Sequence, residues 1–131
     1  MKKYLVIFII LFVAGYLASK VQSSWGKVRV QSIKIPTQNG QWLVADLFKP
    51  VSANSSNPSP LVIVVPGFQR SKETLSNISI ELSRRGIVTI AIDPYAQGLS
   101  SSSFNRRAAT KEGYGMFALV DYVYDLSLIH I

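Results

Sequence analysis

Cysteine is absent from the 131 residues and histidine occurs once. Without thiols there is no disulfide framework, no thiolate nucleophile and no Cys-ligated zinc, and one imidazole builds no multi-histidine centre. No metal and no cofactor is therefore expected. Acidic residues are also scarce, seven against 14 Lys and Arg. Charged residues make up only 16% of the chain and hydrophobic ones 48%, which excludes a disordered polymer and leaves room for one modest folded domain.

The formal net charge of +7 suggests nucleic-acid binding until it is located. Lys2, Lys3, Lys20, Lys27, Arg29, Lys34 and Lys49 face Asp46 alone in the first 49 residues, so that segment carries +6 and the rest +1. Basic residues flanking an apolar run read more economically as membrane-proximal charge than as a phosphate-binding face. No interleaved aromatic and basic pattern for RNA accompanies them, and no nucleic-acid partner is expected.

The apolar run is Tyr4 to Ala18, YLVIFIILFVAGYLA, behind Lys2-Lys3. It is shorter than the roughly 20 residues that span a bilayer unaided, although Tyr4, Tyr16 and snorkelling lysines extend it. The best small-residue cleavage site, Val21-Gln22-Ser23, is poor and sits beside Lys20. An uncleaved signal anchor is therefore expected, with the lipid bilayer as partner of residues 4–19 and a polar tether at 19–27. Its N-terminus is expected inside and its domain outside the cell membrane. Secretion after cleavage is the alternative.

Val28, Val30, Ile33 and Ile35 then alternate with polar residues, with a phase slip at Gln31-Ser32 that one extra residue in a bulge would cause. Asn39-Gly40 signals a hairpin into a second strand, Trp42 to Phe48, which closes at Lys49-Pro50. Residues 51–60 read as an exposed loop. Leu61 to Val65, LVIVV, is a continuous β-branched run of the kind buried on both faces of a central strand. Leu75, Ile78 and Leu82 recur at helical spacing up to Arg84-Arg85 and Gly86, and a second buried strand, Ile87 to Ile92, follows. The order predicts a right-handed βαβ crossover appended to a hairpin. After a polar loop at 94–110, Met116, Leu119, Val120 and Val123 mark a further amphipathic helix.

Two motifs carry a resemblance. Val65-Pro66-Gly67-Phe68-Gln69 looks like the His-Gly-x turn after the third strand of α/β-hydrolases, with Pro66 in place of His. Asp93-Pro94-Tyr95-Ala96-Gln97-Gly98-Leu99-Ser100 looks like that superfamily's Asp-x-x-Gly-x-Gly-x-Ser loop, with Ala96 in the first Gly position. The resemblance spans Lys27 to Asp125. It implies an α/β fold, an incomplete α/β-hydrolase sheet made of an antiparallel hairpin, one βαβ crossover and a further helix, behind one hydrophobic membrane helix. Residues 1–26 would be anchor and tether, and 27–125 the N-terminal half of the domain.

Acyl transfer builds negative charge on a carbonyl oxygen, which preorganised backbone N–H groups stabilise. In the superfamily one donor comes from the loop after the third strand. By resemblance that donor is the N–H of Phe68, with Gln69 as neighbour or substitute. The resemblance also implies that Asp93 is not the catalytic acid, because in the superfamily that residue follows the nucleophile in chain order. It is expected to accept N–H bonds within the Tyr95 to Ser100 loop. Ser100 to Ser103 lack a Gly-x-Ser-x-Gly elbow and are read as loop residues. Arg106, Arg107 and Lys111 are read as solvated, and Tyr114, Tyr122 and Tyr124 as helix-packing residues. Gly113-Tyr114-Gly115-Met116-Phe117-Ala118 matches a dinucleotide fingerprint in letters only, because the preceding NRRAATKE is no strand.

The superfamily's next elements, the fifth strand and the nucleophile elbow, would follow Asp125. Neither the nucleophile, nor the later acid, nor the terminal His is found. The last six residues, LSLIHI, are what CTG TCT CTT ATA CAC ATC encodes, which resembles a transposon-derived sequencing adapter. Residues 126–131 are therefore expected to be non-native, with the gene cut near Asp125. The third strand would then lose one neighbour and show an apolar edge, making the chain poorly soluble and inactive. The expected parent is a membrane-anchored serine hydrolase cleaving an ester, thioester or amide through an acyl-enzyme. The alternatives are a non-catalytic membrane-tethered module on the same fold, or a short tethered binding protein complete as written.

Overall fold

The computed structural model describes residues 2–37, 40–101 and 113–126. It contains helix α1 (Lys2–Gln22), strands β1 (Val28–Pro36), β2 (Trp42–Pro50) and β3 (Leu61–Val64), helix α2 (Ser76–Arg84), strand β4 (Val88–Asp93) and helix α3 (Met116–Asp125). The strands form one mixed sheet in the order β1-β2-β4-β3. β2 runs antiparallel to β1 and β4, and β3 runs parallel to β4. This is the predicted hairpin followed by a βαβ unit.

The hairpin closes through the Thr37 N–H, which donates to the Gln41 carbonyl at 2.9 Å, with Gly40 at φ +70° where an L side chain would be strained. Asn39 lies outside the described residues. The expected bulge in β1 is absent. Every residue from Val28 to Pro36 pairs one to one with Pro50 down to Trp42. The phase slip has another cause: the strand serves both faces of the sheet. Val28 packs with Phe48, Ala91 and Ile80 on the α2 side. Ile33 and Ile35, of opposite parity, pack with Leu43, Ala45, Ile90 and Ile92 on the α3 side. Val30, opposite Phe48 on the same face as Val28, is exposed.

β4, predicted as a second buried strand, is buried at every residue and is the centre of the molecule. β3 is not. It occupies the sheet's margin among the described strands, its residues are only partly covered, and Val62 and Val65 are exposed. A β-branched run predicts burial on both faces only when strands flank it on both sides, and here β4 alone does so. This leaves an apolar edge exposed among the described strands.

α2 begins after a single tight turn, Lys72–Leu75, and ends at Gly86 (φ +90°). The Ile87 N–H reaches the Leu82 carbonyl and the Gly86 N–H reaches Ser83, closing a Schellman motif. Its inner face differs from the predicted Leu75, Ile78 and Leu82 stripe. Ile78 points to solvent, and the fully buried residues are Ser79 and Ser83. Ser79 Oγ donates to the Leu75 carbonyl at 2.8 Å, and Ser83 Oγ donates to the Phe48 carbonyl of β2 at 3.0 Å. Small hydroxyls let the helix approach the sheet backbone closely and satisfy an acceptor there.

α3 seats Leu119 and Val123 in the larger core with Met116 and Tyr122 against it, whereas Val120 and Tyr124 are exposed. The loop at 51–60 is pinned: Asn54 Oδ1 accepts the N–H groups of Ser56 and Asn57, both at 2.9 Å, and Ala53 is buried. α1 is longer than the apolar run implied. Lys3–Val21 is 19 residues, which at ~1.5 Å per residue approaches the ~30 Å of a hydrocarbon core. The expected tether at 19–27 is instead helix up to Gln22 and then a closed turn. In it Ser24, Trp25 and Gly26 are consecutive left-handed residues with φ of 49°, 59° and 82°.

Candidate functional site

The carboxyl ends of β3 and β4 lie side by side because the strands are parallel neighbours. That brings the two motif loops together. Pro66 and Gly67 end the strand, and the Arg70 N–H closes a turn onto the Gly67 carbonyl at 3.1 Å. Phe68 stands at the tip, exposed, and Gln69 takes a left-handed φ of 60°. Left-handed backbone at a non-glycine costs about 1–2 kcal/mol, so other contacts must hold this turn. Among the described residues the N–H groups of Phe68 and Gln69 donate to no acceptor. The Gln97 side-chain amide lies against this turn: with its NH2 turned toward them it reaches the Arg70 carbonyl at 2.6 Å and the Gly67 carbonyl at 3.2 Å, an orientation that would join the second motif to the first.

Asp93 is fully buried at the end of β4. Oδ1 accepts the Lys72 N–H at 2.7 Å and Oδ2 accepts the Leu99 N–H at 3.0 Å. A bond to the Leu99 N–H is the role read from the sequence; the bond to Lys72 was not read there. Gly98, at φ 52°, passes directly beneath the carboxylate, and a Cβ there would overlap it. The serines that follow are committed to structure. Ser100 Oγ donates to the Asp93 carbonyl and accepts the Val44 N–H at 2.7 Å, while Ser101 Oγ donates to the Trp42 carbonyl at 2.8 Å. Ser102 and Ser103, like Arg106, Arg107 and Lys111, lie outside the described residues.

Ala96, in the position the superfamily gives to glycine, sits at φ 62° and is exposed. Relief of left-handed strain outweighs the added freedom of the unfolded chain, so Ala96→Gly is expected to raise stability by about 0.5–1 kcal/mol. A urea midpoint for the detergent-solubilised chain checks it; an unchanged or lower midpoint contradicts the strain.

Beneath both loops lies a cation that sequence reading missed. Lys72 is 4% exposed, and its Nζ stands 2.6 Å from Glu73 Oε1, 3.4 Å from Asp46 Oδ2 and 3.9 Å from Asp93 Oδ2. Burial acts to lower its pKa, but the bond to Glu73 and the attraction of Asp46, Asp93 and Glu73 outweigh it, leaving the pKa above the ordinary 10.5. Glu73 is pulled down to about 2, first by the Lys72 bond and then by the Ser71 hydroxyl. Asp46 was the available signal, as the single acid in the otherwise apolar stretch of β2. A charge at mid-strand needs an inward partner.

A cleft of about 270 Å³ opens on the α3 side, lined by Pro36, Thr37, Tyr95, Gly115, Phe117, Ala118 and Asp121. The Pro66 to Arg70 turn does not line it. Tyr95 OH donates to Thr37 Oγ1, and Gly115 (φ 91°) lets α3 start against Leu43 and Tyr95. The second glycine of the fingerprint-like Gly-x-Gly is thus explained by close packing; the side chain of Tyr114 lies outside the described residues.

No family model and no curated protein sequence matches the chain. Solved structures do. Est1E of Butyrivibrio proteoclasticus, solved with ferulic acid bound, is 26% identical over 75% of this chain and 39% of its own, with a TM-score of 0.63. The α/β hydrolase GrgF of a Penicillium species is 23% identical over 78% of this chain and 34% of its own, with a TM-score of 0.62. The Pyrococcus furiosus esterase Pf2001 is 16% identical over 85% of this chain and 39% of its own, with a TM-score of 0.61. The chain spans little more than a third of the length of these structures. Its fold is a partial α/β-hydrolase fold.

Proposed function

We propose that this chain is the amino-terminal part of a membrane-anchored serine hydrolase that cleaves an ester, thioester or amide through an acyl-enzyme. α1 holds it in the bilayer through residues 4–19. The turn after β3 supplies half of an oxyanion hole through the N–H of Phe68, with Gln69 beside it. The observation that carries this reading is the pair of unpartnered N–H groups at the carboxyl end of β3, with Gln97 of the loop after β4 against the same turn, in a fold whose solved neighbours include an esterase. Nucleophile, acid and catalytic His are assigned to sequence beyond Asp125, and the 131 residues by themselves are expected to be inactive.

The test is to sequence the native locus, express the complete reading frame and assay it with a p-nitrophenyl ester and a fluorophosphonate label. A strand followed by Gly-x-Ser-x-Gly, then Asp and His, with labelling of that serine, supports the proposal. Phe68→Pro, which deletes the donor at a residue whose φ is not positive, is expected to lower kcat by about 10²–10³-fold with little change in KM. A locus that encodes LSLIHI and a stop, or a complete domain without the elbow, would favour the non-catalytic module instead.

A further inference from the structure

We propose that the turn joining α1 to β1 is a lipid-docking element, in which Trp25 together with Lys20, Lys27, Arg29 and Lys49 seats the domain on the anionic headgroups of the bilayer that α1 enters. The inference rests on the membrane reading of α1 and adds to it: the domain lies on the surface instead of hanging from a slack linker. Three observations carry it.

The first is the absence of slack. The Trp25 N–H donates to the Lys20 carbonyl at 2.7 Å, Gly26 and Val28 donate to the Ser23 carbonyl at 3.0 and 3.2 Å, and Ser23 Oγ donates back to Ser19 at 3.0 Å. Ser24 is buried within this turn. A strained left-handed turn closed on itself transmits the orientation of α1 directly to β1.

The second is the placement of the indole. Trp25 is 65% exposed although it belongs to a folded, hydrogen-bonded turn, and it lies four residues past the last residue of the apolar span. That is the depth at which aromatic belts sit, ring in the headgroup layer and N–H in water. Val51, also exposed, is tied to the end of the same turn, since its N–H donates to the Lys27 carbonyl at 3.0 Å.

The third is like charge without acidic partners, the Lys20 ammonium lying over the Tyr16 ring at 5.3 Å. Arg29 and Lys49 are direct cross-strand partners, an arrangement that repels within a sheet. Among the described residues none of Lys20, Lys27, Arg29 and Lys49 has an acidic partner, and Asp46, the one acid of β2, is engaged by Lys72. A cluster of cations with no counter-charge of its own, beside an exposed indole at a membrane exit, fits anionic phospholipid, each cation drawing on the surface potential within a Debye length.

The experiment uses the full chain reconstituted in phosphatidylcholine vesicles, alone or mixed with phosphatidylglycerol. Trp25 emission is read as the difference between wild type and Trp25→Phe, which leaves Trp42 in place. With phosphatidylglycerol present, the emission is expected to be blue-shifted, quenched by lipids brominated near the headgroup and several-fold less accessible to acrylamide. Replacing Lys27, Arg29 and Lys49 together by Gln should abolish the dependence on phosphatidylglycerol. Emission from fully hydrated, acrylamide-quenched Trp25 in both vesicles, with α1 still resistant to alkaline carbonate extraction, overturns the docking element and spares the anchor. Extraction of the chain by carbonate overturns both.

Discussion

Lys72→Met, followed by urea unfolding of the detergent-solubilised chain, is expected to lower stability by about 3 kcal/mol or more, because it strips a buried cation from carboxylates that stay behind. Asp93 is fully buried and cannot recruit water to replace the ammonium, whereas Asp46 is half-buried and recovers part of its solvation. Glu73 is more than half exposed, and its bond to Lys72 is screened, so Glu73→Gln should cost well under about 1 kcal/mol. A Lys72→Met loss no larger than that of Glu73→Gln would mean that the buried charges are not coupled.

The same cluster fixes the sign of the pH dependence. Glu73 has a folded pKa of about 2 against an ordinary 4.5, so its contribution is present above pH 4.5 and is lost as pH falls toward 2. Lys72 is raised above 10.5, so its contribution is complete below that value and is lost as pH rises through the higher folded pKa. A plateau of urea midpoints between these limits is expected. Both of its shoulders should flatten in Lys72→Met.

Gly98→Ala is expected to have an effect of comparable size, about 3 kcal/mol, and for a different reason. The left-handed φ of 52° accounts for about 1–2 kcal/mol. The rest comes from the new Cβ, which occupies the space of the Asp93 carboxylate and displaces it from the Lys72 and Leu99 N–H groups, at about 1–3 kcal/mol for a buried donor left unpaired. Gly86→Ala is the internal control. Gly86 has a positive φ but open space where the Cβ would go, so only the strain of about 1 kcal/mol should appear. Equal losses at the two sites would show that the contact with Asp93 does not matter.

The elements that announced themselves in the sequence are those with local chemistry. Asn39-Gly40 marked the hairpin, Gly86 the end of α2, and Met116, Leu119 and Val123 the inner face of α3. Asp93 read as a loop organiser because a carboxylate at a strand end followed by small residues has backbone donors within reach. What escaped depends on partners distant in sequence. The slip in β1 imitates a bulge because Val28 and Ile33 answer to different cores on opposite faces of the sheet. The inner face of α2 was misread because two serines can be buried when one of them reaches a β2 carbonyl, which helical periodicity in apolar residues does not reveal. β3 has the composition of a central strand, yet among the described strands it lies at a margin, since composition records side-chain preference and not how many strands flank a segment.

The serine pair under α2 has a consequence for tolerance to change. Residues 79 and 83 set the standoff between helix and sheet, and α2 starts from the tight turn that carries Lys72 and ends at the glycine that launches β4. A methyl in place of either hydroxyl keeps that standoff, whereas a valine or leucine would jack the helix upward and carry the whole crossover with it. In a saturation library scored for folded yield, those two columns should therefore admit Gly, Ala and Ser and reject every bulkier residue, including hydrophobic ones that a buried site would ordinarily welcome.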